Sequence, residues 1–184
     1  LLSLSDIATL AYYRANIWSA IHALKDLDRP EAWDWQDKAT QREILYLRQA
    51  AYHPGFIELD PVRQCQIDTN LGNLLNRVGR FVEAIESWDR ALARIPRFAM
   101  ARGNRGQGLS FYSRALYDPG HRAILMLAAH DDFSAALEPD AFFDSAGSES
   151  VQEAFRRARN EIANHMDVAG VRKQFARCSG SPSV

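Results

Sequence analysis

Residues 69–96, TNLGNLLNRVGRFVEAIESWDRALARIP, carry two apolar-periodic segments on either side of Gly79. Gly72 falls in the middle of the first, where glycine costs about 1 kcal/mol of helix propensity relative to alanine. A residue that weakens its own helix must be offset by packing. Ala84 and Ala91 supply further small positions in the second segment. The bulky residues around them are Leu71, Leu75, Phe81, Ile85, Trp88 and Leu92. The pattern predicts two helices that approach closely at Gly72 and Ala84, with Ala91 making a similar approach to a following helix. Gly79 is placed as the left-handed residue that ends the first helix. Pro96 stops the second, because proline cannot continue a helical ladder.

Working outward, the same reasoning predicts helices on both sides. Ser5 is the expected cap of a helix over residues 6–27, with Ile7, Leu10, Ala11, Ile17, Ile21 and Leu24 as its apolar stripe. Arg29 and Pro30 end it. Trp33 and Trp35 follow, and are expected to pack between helices rather than to form a binding surface. A second helix fits residues 35–52 with Ile44, Leu45, Leu47 and Ala51 apolar, stopped by HPG at residues 53–55. Helices over 61–78, 81–94 and 98–116 come next, with Pro61 at a tolerated first-turn position. YDPG at 117–120 is a turn signal, followed by a helix over 121–137 that ends before Pro139. Residues 144–150 read as a loop. Ser150 and Glu153 have capping-box spacing and open a last helical region to Arg177, broken near Gly170. No segment alternates with strand period, so the expected class is all-α.

Residues 65–98 resemble one tetratricopeptide (TPR) repeat, a helix–turn–helix unit of about 34 residues. The likeness rests on Leu71, Gly72, Leu75, Gly79, Ala84, Trp88, Ala91 and Pro96, with Trp88 where another aromatic is commoner. Residues 99–139 resemble a modified repeat: Asn104, Gly106 and Leu109 are in register, and Ala129, Phe133 and Ala136 are correctly spaced after an LYDPGH insertion. Three regions are expected: a degenerate helical pair over 1–60, the repeats over 61–140, and a loop, C-terminal capping helix and frayed tail over 141–184. The resemblance implies a right-handed solenoid of antiparallel helix–turn–helix units with degenerate flanking helices.

It also implies a function. TPR arrays bind proteins or peptides in a concave groove lined by their first helices. Carried onto this chain, the groove positions are Gln66, Thr69, Asn73, Asn76 and Arg77, then Met100, Gly103, Asn104, Gln107, Ser110 and Phe111. Asn73 and Asn104 stand where some members hold an extended peptide, beside lysines that clamp a terminal carboxylate. Here Thr69 occupies the first lysine position, so that clamp is not expected. The alternative for Asn70, Asn73 and Asn104 is a plain repeat-consensus polar role.

A narrower likeness points elsewhere. NLGNLLNRVGRFVEAIE, RGNRG and LYDPGH resemble the TPR segment of bacterial proteins that continue into a HEPN-type domain, a class associated with RNase activity. HEPN RNases carry an arginine with a histidine five to seven positions on, and RNEIANH places Arg159 and His165 so. Such a pair is thought to handle the phosphate and the proton at RNA cleavage. Six residues apart on an ideal helix, however, two side chains point about 120° away from each other. The competing assignment for this string is a solvated face of a capping helix.

The bulk composition sets outer limits. The 184 residues are 47% hydrophobic and 24% charged, with a net charge of −1, ordinary for a soluble domain. No global field draws such a chain to nucleic acid or membrane. The local basic residues Arg156, Arg157, Arg172 and Lys173 would support weak RNA binding. Cys65 and Cys178 have no metal-ligand spacing, so neither a disulfide nor a metal is expected, and a reducing cytoplasm is. His121 and His130 lack an evident third ligand. No phosphate loop or dinucleotide fingerprint implies a cofactor. LLSLSDIATL has no basic n-region, so a signal peptide is not expected. Starting at Leu1 rather than Met, the chain is expected to be a piece of a larger bacterial protein, with a further domain covalently linked. The expected reading is therefore a non-enzymatic protein- or peptide-binding module, with the RNase as its rival.

Overall fold

Ser3, Asp37, Asp60, Asp118 and Asp167 accept from backbone N–H groups at the starts of five helices, whereas Arg80 and Phe98 precede helices that have no side-chain cap. The computed structural model describes residues 2–26, 37–143 and 148–178. Among them are eight α-helices: α1 (Leu4–Asp26), α2 (Lys38–Ala51), α3 (Pro61–Arg77), α4 (Phe81–Arg94), α5 (Ala99–Ala115), α6 (Pro119–Ala136), α7 (Ser148–His165) and α8 (Val168–Cys178). A 3-10 turn, Pro54–Glu58, lies between α2 and α3. The only extended pairing among the described residues is a single parallel bridge between Phe98 and Phe142. The all-α class therefore stands. Trp33, Trp35 and the tail at 179–184 lie outside the described residues. The chain divides into two compact units, residues 1–96 and 97–184.

The first unit is two helical hairpins. His22 on α1 meets Thr40 on α2, while Arg14 lies over Tyr46, so the two helices run antiparallel. Cys65 reaches the Ala91 carbonyl, and Asn73 reaches Trp88, so α3 and α4 are antiparallel too. Their joint explains Gly72. A methyl placed there would lie 2.6 Å from Trp88 Nε1, and the indole is only 1% exposed. The same Nε1 donates to Asn73 Oδ1 at 3.1 Å, which fixes the ring. Gly79 has φ of 82°. Gly79 N–H donates to the Asn76 carbonyl and Arg80 N–H to that of Leu75, the paired bonds of a Schellman ending. The core gathers Tyr12, Leu47, Phe56, Ile67, Leu71, Leu75 and Trp88.

The second unit repeats that joint with different residues. A methyl at Gly106 would lie 3.1 Å from the Ala129 carbonyl and 3.2 Å from Phe133 Cε1. Gly106 thus lets α5 close on Phe133 of α6 as Gly72 lets α3 close on Trp88. The third helix, α7, lays Phe155 and Ile162 into this pair, both nearly fully buried. The Phe155 ring sits 5.9 Å from that of Phe133. Through Arg172 and Asp131, α8 is tied to α6.

Several boundaries and faces differ from the sequence expectation. Ser3, not Ser5, caps α1: its Oγ accepts from Asp6 N–H while Asp6 accepts from Ser3 N–H, a reciprocal box. Asp118 accepts from His121 N–H, so α6 opens at Pro119 rather than at His121. Because α7 begins at Ser148, Ser150 lies inside the first turn and Glu153 pairs with Arg156. The last helical region breaks at Met166–Asp167, not near Gly170, because Asp167 accepts from Gly170 N–H and starts α8. The largest difference is the face of α1. Its buried residues are Ala8, Ala11, Tyr12, Ala15 and His22, whereas Ile17 and Leu24 are 59% and 69% exposed, and Ile7 and Leu10 are also open. Leu45 on α2 is likewise exposed. Helical period alone does not say which of two apolar stripes meets the core. Here the small one does, because alanines let α2 come close.

Candidate functional site

On α3, Gln66, Thr69, Asn73 and Asn76 recur every three or four residues and so share one face, with Arg77 beside them. The structure treats them differently. Thr69 is 3% exposed, which corrects the expectation that it lines an open groove. Its Oγ1 and Asn76 Oδ1 are buried atoms with no hydrogen-bond partner among the described residues. Asn73 Oδ1 is committed to Trp88, so part of its role is to hold that indole. Gln66 is half-buried, and Arg77 is exposed at the end of the helix. A buried polar group left unpaired costs about 1–3 kcal/mol. Thr69 and Asn76 are seven residues apart, a rise of about 10.5 Å along a helix. That is the length of about three residues of extended chain.

In the second unit the expected groove residues on α5 also separate. Gly103 is closed off: a methyl there would meet the Phe155 ring at 2.0 Å, so α7 occupies the position. Met100 and Asn104 are half-buried, and Asn104 Nδ2 has no partner among the described residues. Gln107 and Phe111 are exposed, with the Arg114 guanidinium 5.3 Å from the Phe111 ring centre. Gln107, Phe111 and Arg114 line a hollow of about 220 Å³ together with Phe133, Glu161 and His165. Pockets for drug-sized ligands run from about 300 Å³ upwards. This one is smaller.

Arg159 and His165 are not brought together. They sit on one uninterrupted helix, so the divergence of about 120° stands. The Arg159 guanidinium donates to Asn160 Oδ1 at 3.2 Å. His165 Nδ1 lies 2.8 Å from the Glu161 carbonyl, which can only accept, so Nδ1 carries the proton. His121 and His130 each lie beside a neighbouring aspartate, and no cluster of His, Cys, Asp or Glu among the described residues could hold a metal ion. No described helix is long and apolar enough to cross a membrane.

Buried charges are the feature that sequence reasoning missed. Asp68, on α3, has a side chain 1% exposed and accepts from Arg90 at 3.1 Å and Arg94 at 2.6 Å, both on α4. Burial pushes its carboxyl above the usual range, against the pull of both arginines. In the second unit the signs are exchanged. Arg102 stands 34 residues after Asp68 on α5, and with Arg105 it grips Asp132 on α6 at 3.2 and 2.6 Å. The available signal was a charged residue one turn before a helix-interior glycine, 68 before 72 and 102 before 106. Glu43 on α2 is also buried, and desolvation raises its carboxyl, partly offset by a Ser19 hydrogen bond and by the Arg77 and His22 charges.

No protein-family model matches the chain. No curated protein and no solved structure is significantly similar to it.

Proposed function

We propose that the chain is a TPR-like protein- or peptide-binding module, part of a larger cytoplasmic protein, and that the polar stripe of α3 makes the contact. The observation that carries this reading is the polar face of α3, where Gln66, Asn73 and Asn76 are half-buried and Arg77 is exposed. Side-chain amides along this face can both donate to and accept from the backbone of an extended peptide. Arg77 at the end of the stripe would favour an acidic residue in the ligand. The Gly72–Trp88 and Gly106–Phe133 joints support the repeat assignment behind it, because both place a small residue against an aromatic of the paired helix. The solenoid arrangement of the hairpins is part of the same proposal.

The test uses a displayed library of random linear peptides selected against the whole chain, with affinities then measured by fluorescence anisotropy. Asn76→Ala and Arg77→Ala should each weaken the enriched peptides about tenfold, the ~1.4 kcal/mol scale of one lost hydrogen bond. The melting temperatures of both variants should stay near that of the wild type. Failure to enrich any peptide, or undiminished binding by the folded double variant, would overturn the assignment.

A further inference from the structure

The hollow of about 220 Å³ in the second unit is framed by α5, α6 and α7, and its walls differ in chemistry. The floor is apolar: Phe133 and Ile162 are nearly fully buried, and Met126 is half-buried. The α5 wall donates. Gln107, Phe111 and Arg114 are spaced by four and three residues and so share one face of that helix. The Arg114 guanidinium is held 5.3 Å from the Phe111 ring centre, over an aromatic face rather than against a carboxylate. The α7 wall accepts. Glu161 and His165 stand one turn apart on it. Because His165 Nδ1 donates to the Glu161 carbonyl, Nε2 of the neutral ring is an acceptor. Among the described residues, neither Arg114 nor Glu161 is joined in an ion pair to another side chain, and they do not pair with each other. Two opposite charges on different walls of one hollow are thus both open to a third group.

We propose that this hollow binds a free α-amino acid with an apolar side chain. Arg114 and Gln107 take the carboxylate, and Glu161 and His165 Nε2 take the ammonium. The side chain lies against Met126, Phe133 and Ile162. An apolar pocket with a few convergent polar groups is the usual build of a small-molecule site, and this hollow is below the size that drug-sized ligands need. The pairing of charges selects the class. A simple carboxylic acid leaves Glu161 unanswered, and a simple amine leaves Arg114 unanswered. An internal peptide residue carries neither charge, and a chain end carries one. All four polar side chains are exposed at the rim, so no charge has to be stripped of water before the ligand arrives. The site lies apart from the α3 stripe and does not depend on a peptide being bound there.

Isothermal titration calorimetry of the whole chain with L-leucine, L-methionine and L-phenylalanine should give saturable binding of at least one of them. The N-acetyl and the carboxamide derivatives of that amino acid should each bind about tenfold or more weakly, as one charge-assisted end is lost. Arg114→Gln and Glu161→Gln should each weaken the free amino acid by a similar factor, with melting temperatures unchanged because both side chains are exposed. Each substitution should also cancel one discrimination. Arg114→Gln should bind the carboxamide as well as the acid, and Glu161→Gln should bind the N-acetyl form as well as the free amine. Glu86→Gln in the first unit should leave the affinity as it is. No binding of any of the three up to about 10 mM, roughly ten times a millimolar dissociation constant, would overturn the proposal. So would a blocked derivative that binds as well as the free amino acid, or an affinity indifferent to both substitutions.

Discussion

Gly72 shows how one missing methyl sets a joint. Alanine there would gain about 1 kcal/mol of helix propensity but would press on a buried indole held by Asn73. Overpacking of this kind costs typically about 1–3 kcal/mol. Gly72→Ala should therefore lower stability in urea titrations, whereas Glu86→Gln on the exposed face should leave it within error. In a Trp88→Phe background the added methyl should be neutral or favourable, and a double-mutant cycle measures that coupling. Glu43 gives a pH-dependent case. Its carboxyl is raised above the ordinary value by burial, so the protonated form suits the fold. The stability it contributes is complete below the unfolded pKa and is lost as pH rises through the folded one. Glu43→Gln mimics the protonated state. It should be more stable than wild type at pH 7, with the gap closing as the pH falls towards the model-compound value of 4.5. Equal differences at pH 7 and pH 4 would show that burial of the charge is not the cause. Glu43 could not be placed from sequence, because a lone acid in a helical pattern reads as solvated until its neighbours are known, and Asp68 showed there only as a charge one turn before Gly72.

The informative elements are α1 and α7. Helix existence was legible throughout, because apolar period, Pro61, Gly79 and Pro96 act locally. The inward face of α1 was not. Two apolar stripes satisfy the same period, and the choice depends on which one α2 can approach. The starts of α1 and α7 were misplaced because several serines offer caps, and the winning turn is decided by hydrogen bonds that spacing alone does not rank. For α7 the decisive contact is Phe155, which fills the space left by Gly103 and stacks beside Phe133. Phe155→Ala should cost about 3–5 kcal/mol locally. Hydrogen exchange should then speed up across residues 148–178 and stay slow in α3 and α4. Uniform acceleration over the whole chain would instead mean that α7 is integral to global folding.

For the molecule as a whole, the candidate site was legible only in part. The α3 stripe was visible as a row of polar residues, but Thr69's burial was not, since residue spacing does not say how closely a polar face is covered. The Arg159–His165 string was visible too, yet a general acid or base must come within hydrogen-bond reach of the group it serves. Purified chain should therefore show no cleavage of labelled RNA under single-turnover conditions. Activity that disappears in both Arg159→Ala and His165→Ala would replace the proposed binding role with the RNase reading. The exchanged ion pairs have a consequence for how the chain finds its fold. Because α3 with α4 and α5 with α6 share the same small-residue spacing, a nascent chain faces the hazard of pairing helices from the wrong hairpins. Pairing α3 with α6 would enclose Asp68 with Asp132, and pairing α5 with α4 would enclose four arginines. Giving both hairpins one polarity, by Arg102→Asp, Arg105→Asp and Asp132→Arg together, should lower the refolding yield by more than the loss of native stability explains. A yield that merely follows stability would refute this. The opposed charges act as addresses, steering each helix to its own partner before either joint has closed.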